Sequence, residues 1–109
     1  ISPDLLESIS LVGFSGQDFS ISKLKEFKNL RYIALNGIKK ADIDCELFTH
    51  LPSLSYLDLV SCFNLNNVNE LANLKHLEYL IVLDCKRPFD NAPIDLLKNN
   101  ISDIDIDFA

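Results

Sequence analysis

Glycine is scarce in this chain: Gly13, Gly16 and Gly37 are the only three, too few and too scattered for a loop that cradles a phosphate. Cysteine is equally sparse. Cys45, Cys62 and Cys85 form an odd set with no CxxC pair, whereas secreted disulfide frameworks use a denser, even one. Structural zinc sites favour closely spaced ligand pairs, and no such pair of cysteines or histidines occurs. Adjacent basic residues never exceed a pair such as Lys39-Lys40 in a chain of net charge −6. The basic patch that displaces counterions from nucleic acid, or that meets an anionic membrane, is therefore missing. No apolar run reaches the roughly 20 residues that span a bilayer, and the first residues lack the charged-then-apolar pattern of a secretory leader. The expectations are no metal, no cofactor, no nucleic acid and no membrane, with an intracellular (cytoplasmic or nuclear) setting. The chain opens on Ile1, not methionine, which predicts a piece of a longer protein.

What is present is a repeat. The 109 residues, 48% hydrophobic and 24% charged, have the composition of one folded domain. Five segments share the spacing L-x-x-L-x-L: Leu6/Ile9/Leu11, Leu30/Ile33/Leu35, Leu54/Leu57/Leu59, Leu77/Leu80/Val82 and Ile101/Ile104/Ile106. Their starts advance in steps of 24, 24, 23 and 24 residues. The register extends further. Phe14, Ile38, Cys62 and Cys85 each follow the last aliphatic by three residues, and Ile21, Cys45, Val68 and Ala92 come next. Phe27, Leu51, Leu74 and Leu97 then precede the following segment. Each turn of chain supplies apolar residues at matching positions, so the turns must stack to bury them.

The stretch Leu54-Ser-Tyr-Leu-Asp-Leu-Val-Ser-Cys62-Phe-Asn-Leu65 resembles the leucine-rich repeat signature L-x-x-L-x-L-x-x-N/C-x-L, with one extra residue before its last leucine. The resemblance runs from about Leu5 to Phe108 and is specific because it recurs. It implies an α/β fold of one domain over 1–109, a curved right-handed solenoid. About five parallel strands, near 7–12, 31–36, 55–60, 78–83 and 102–107, would line its concave side. Short helices or 3₁₀ turns would form the convex side. Where the family often has asparagine, this chain has Phe14, Ile38, Cys62 and Cys85, so the backbone groups at that bend need other partners. Cysteine there is similar to the cysteine-containing repeats of F-box adaptors, while Leu51-Pro-Ser-Leu-Ser-Tyr56 is similar to plant resistance-protein repeats. Both subtypes stay open. Ser22, Asp44 and Asn69 stand where helix N-caps would, and Pro93 where a first helical residue would.

Alternation along a strand turns the third, fifth and seventh positions of each segment away from the aliphatic core. The third positions are Ser8, Tyr32, Tyr56, Tyr79 and Asp103; the fifth are Ser10, Ala34, Asp58, Ile81 and Asp105; the seventh are Val12, Asn36, Val60, Leu83 and Asp107. Three tyrosines thus form a ladder, and tyrosine is favoured at binding hot spots. Val60, Ile81 and Leu83 beside it are expected to be exposed, rimmed by Asp58, Asp84, Asp103 and Asp105, as in an interface with a charged edge. Two other readings fit the same residues: strand propensity alone, or cover by another part of the parent chain. The acidic run at Asp103–Asp107 has two readings as well, a patch for a basic partner or an edge kept soluble.

Catalysis has little to build on. Cys45, Cys62 and Cys85 occupy positions that are apolar in other turns and read as small buried hydrophobes. Stacked about 5 Å apart, Cys62 and Cys85 would be within disulfide reach, though a reduced pair is expected. His50 and His76 fall at non-equivalent places in the repeat. Asn100-Ile-Ser102 matches a glycosylation triplet, a pattern frequent by chance. The expectation is a binding module and not an enzyme, docking a protein of basic and apolar surface on the concave face. It could be the substrate-recognition part of an adaptor such as an F-box ubiquitin-ligase receptor. The alternatives are a regulator that occludes an enzyme's active site, as ribonuclease-inhibitor-like repeats do, and a structural segment of a larger protein.

Overall fold

The computed structural model describes residues 5–13, 21–74, 76–85, 101 and 103–107. Phe14, Ala92, Pro93, Leu97 and the Asn100-to-Ser102 triplet, to which roles were assigned above, fall wholly or partly outside them. Among the described residues seven strands run in the order β1 (Ser8–Val12), β2 (Tyr32–Asn36), β3 (Ile43–Asp44), β4 (Tyr56–Val60), β5 (Leu65–Asn66), β6 (Tyr79–Leu83) and β7 (Asp103–Asp107). Five of them form one sheet in the order β1-β2-β4-β6-β7, and every neighbouring pair is parallel. These are the five aliphatic segments, each strand starting one residue later than the spacing predicts. Register is set by burial. Ile33 pairs with Leu57 and Leu57 with Leu80; Leu35 pairs with Leu59 and Leu59 with Val82. All six side chains are fully buried. A slip of one residue would turn them out to water.

Three described return segments are 3₁₀ helices of six residues each: Ile21–Glu26, Cys45–His50 and Val68–Asn73. With three residues per turn, side chains three apart share a side. That explains why Ile21 and Leu24, Cys45 and Phe48, and Val68 and Leu71 are buried together, Leu47 being buried as well in the second helix. Further three-residue turns carry the chain back to the sheet: Leu30 N–H donates to Phe27 O, Leu54 N–H to Leu51 O and Leu77 N–H to Leu74 O. Entry into each strand repeats as well. Glu7 O accepts from the amides of Arg31 and Tyr32, Arg31 O from Ser55 and Tyr56, and Ser55 O from Glu78 and Tyr79.

One of the three expected caps forms. Asp44 Oδ1 accepts from Glu46 N–H at 3.0 Å. Ser22 and Asn69 are instead inside their helices, because Ile21 and Val68 begin the turn one residue earlier to bury their own side chains. Asn67 precedes the third helix in a left-handed conformation and makes no side-chain cap bond.

Each described exit from the five-stranded sheet has the same bend. Gly13, Gly37, Ser61 and Asp84 all have positive φ, between 53° and 74°. There Gly13 N–H donates to Asn36 O, Gly37 N–H to Val60 O and Ser61 N–H to Leu83 O. Glycine adopts this region freely and other residues do so at some cost. At Ser61 and Asp84 a side-chain bond accompanies it, Ser61 Oγ donating to Asp84 Oδ2 at 2.9 Å. Just beyond, the thiols serve where an amide ladder is absent. Cys62 Sγ approaches Leu35 O at 3.4 Å and Cys85 Sγ approaches Leu59 O at 3.5 Å, while Cys62 N–H points to Cys85 Sγ at 3.4 Å. Asn64, two residues on, donates to the carbonyls of Lys39 and Lys40. It leads into a second, two-stranded sheet, where β3 pairs with β5.

Candidate functional site

The sheet face opposite the core carries the tyrosines. Tyr32 pairs with Tyr56, and Tyr56 with Tyr79. The Tyr32 and Tyr56 rings stack with centroids 4.5 Å apart at 21°, and Tyr56 and Tyr79 lie 5.6 Å apart at 37°. Such pairs contribute about 0.5–1.5 kcal/mol beyond their burial. Tyr79 is 46% exposed, and Tyr32 and Tyr56 are half-buried. The rings are therefore outside the aliphatic interior.

Two residues along, Asp58 pairs with Ala34 on β2 and Ile81 on β6. Its Oδ1 is buried without a hydrogen-bond partner among the described residues. Burial raises its carboxyl above the ordinary value of 3.8. A raised acid favours the folded state while protonated, so its contribution is present below the unfolded value and is lost as pH rises through the folded one. We expect Asp58→Asn, which removes the charge and keeps the shape, to raise the melting temperature at about pH 7 and to leave it unchanged at about pH 3. An equal gain at both pH values in thermal melts would rule out a desolvated charge as the cause.

Val60, Ile81 and Leu83 share this face, but the expectation that they are exposed is corrected: all three are half-buried. Val60 lies between Asn36 and Leu83, and Ile81 between Asp58 and Asp105, in register. Strands about 4.8 Å apart let such side chains cover one another's flanks. Val12, at the open edge, is 74% exposed. Asp84 is not on the sheet face with the tyrosines; it sits in the bend after β6, exposed and bonded to Ser61. Asp103 pairs with Tyr79 and Asp105 with Ile81 through the backbone, and their side chains lie outside what is described. Ala34 and Asn36 were not singled out from sequence, although their register positions beside Asp58 and Val60 follow directly from the repeat.

The cysteines and histidines do not join this face. Cys45, Cys62 and Cys85 are free and buried. Burial pushes the Cys45 thiol up to about 12. The Cys62 thiol is also raised, by its hydrogen bond with Cys85 and by burial. We expect none of these three thiols to react with an aromatic disulfide reagent in the folded protein at neutral pH, and all three to react once denaturant is added. Rapid labelling under native conditions would mean that the core opens easily. His50 Nε2 lies 2.7 Å from Glu46 Oε1, whereas His76 lines a separate groove of about 250 Å³ with Thr49, Pro52 and Asn73. Among the described residues no cluster of three His, Cys, Asp or Glu side chains could hold a metal, and no helix is long and apolar enough to cross a membrane.

Compared with known proteins, the chain matches no family model and no curated protein in sequence.

Proposed function

We propose that this chain is a leucine-rich repeat solenoid that binds another protein through the tyrosine-bearing face of its sheet, and that it acts inside the cell as a recognition module and not as an enzyme. The observation that carries the reading is the in-register row Tyr32–Tyr56–Tyr79, partly exposed beside a carboxylate. Aromatic side chains with few rotatable bonds offer large contact area at small entropic cost. The half-buried aliphatics Val60, Ile81 and Leu83 extend that area, and Asp58 with the acidic β7 gives it a charge that suits a basic and apolar partner. Aliphatic residues at 23- and 24-residue steps, the last two of each triplet on their own parallel strand, support the repeat reading. Within it, the substrate-recognition part of an adaptor is favoured by the stacked Cys62 and Cys85, which match the cysteine-type repeat. The same three reduced cysteines favour an intracellular setting.

The test is affinity capture from cell lysate with the native chain and with a Tyr56→Ala/Tyr79→Ala double variant of equal far-ultraviolet dichroism. The reading expects a small set of proteins held by the native chain and lost by the variant. Identical sets would remove the tyrosine face from the account.

A further inference from the structure

One of the bends that leave the main sheet carries a chemically reactive pair. The residues just before the left-handed positions are Val12, Asn36, Val60 and Leu83. Only Asn36 among them has a side-chain amide carbon that a neighbouring nitrogen could attack. The residue after it is Gly37, and no other asparagine in the chain is followed by glycine. A side chain on that following residue crowds the attacking nitrogen, whereas glycine leaves it open. The Asn36 side chain is exposed, so water reaches it. The peptide unit joining the two residues is, however, held at both ends. Gly37 N–H donates to Val60 O at 2.9 Å, and Asn36 O accepts from Gly13 N–H at 2.8 Å.

We propose that Asn36 is a site of spontaneous deamidation, held closed by these two backbone bonds and converted only when the bend opens. The Gly37 nitrogen attacks Asn36 Cγ and forms the N–Cγ bond of a five-membered imide. The Cγ–Nδ2 bond breaks, and ammonia leaves with the proton that the Gly37 nitrogen gives up. Water then opens the ring at either carbonyl, leaving aspartate or isoaspartate. In the folded chain that proton is engaged by Val60 O. Ring closure also turns the peptide plane about the Asn36 Cα–C bond, out of its strand setting, and both bonds resist the turn. Conversion therefore follows the population of the opened bend. Either product adds a negative charge beside Val60 in register, and isoaspartate adds a carbon to the main chain where β2 ends. The inference stands whatever the sheet face binds.

The test is incubation of the whole 109-residue chain at neutral pH in heavy-oxygen water, natively and in guanidinium chloride, with peptide mapping by mass spectrometry. Asn36 should be the first asparagine converted in denaturant, and its conversion should be at least about tenfold slower in the native chain. That slowing should match, within about threefold, the protection of the Gly37 amide against hydrogen exchange. Gly13→Ala places a side chain at a φ of +63° where its Cβ meets no neighbour, and Ser61 and Asp84 show that the same bend accepts other residues. The variant should strain the bend and speed native conversion several-fold. Equal rates in the two states would overturn the closing role of the bonds, and so would slowing far beyond the exchange protection. An Asn36 that stays intact in denaturant would overturn the site itself.

Discussion

Phe48→Ala is expected to destabilise the chain by about 3–5 kcal/mol, the range for emptying a packed aromatic site. Phe48 is fully buried and is the largest such side chain among the described residues. It occupies the place in its 3₁₀ helix that Leu24 and Leu71 hold in the adjacent turns, so it fills the space between the return segments and the sheet. A domain of this size has only about 5–15 kcal/mol in total, and the variant should approach the unfolding threshold. In urea, with a dependence of about 1–3 kcal/mol per molar, the midpoint should fall by more than about 1 M. Phe48→Leu restores the residue type of the neighbouring turns and should recover most of the loss. If both variants unfold at the same midpoint, the turns are collapsing around the gap and the core is looser than its burial indicates.

Tyr56→Ala should weaken the binding proposed for this face by roughly 1–3 kcal/mol, about tenfold to a hundredfold. Tyr56 is the middle ring and contacts both neighbours, so its loss also frees Tyr32 and Tyr79 to move. The effect should exceed that of Tyr32→Ala or Tyr79→Ala, and Tyr56→Phe should retain much of the affinity if ring area dominates over the hydroxyl. Calorimetric titration against a captured partner measures each. Stability should change far less than for Phe48→Ala, because Tyr56 is half-buried where Phe48 is sealed. Unchanged affinity with an intact fold would place the interface elsewhere.

The two variants separate what was legible in the residues from what was not. Ile33, Leu57 and Leu80 were readable as one layer because a constant step in sequence becomes a constant step in space once strands run parallel. Tyr32, Tyr56 and Tyr79 follow by alternation. The helix starts were less legible. Ser22 and Asn69 are good capping residues by type, yet the apolar Ile21 and Val68 decided where the turn begins, since burying them outweighs one hydrogen bond at an exposed end. Exposure at Val60, Ile81 and Leu83 was overestimated for a related reason: direction follows from alternation, but coverage depends on the neighbouring strands.

The sequence by itself determined the period, the five strands and the face each side chain takes, because these depend on local geometry repeated at fixed intervals. Tertiary structure alone decided the 3₁₀ form of the return segments, the left-handed bends at Ser61 and Asp84, the thiols that meet Leu35 O and Leu59 O, and the unpartnered oxygen of Asp58. Each of these depends on what the adjacent turn presents a few ångströms away. A residue's own type states what it can bond, and the packing of the turn beside it states what it does.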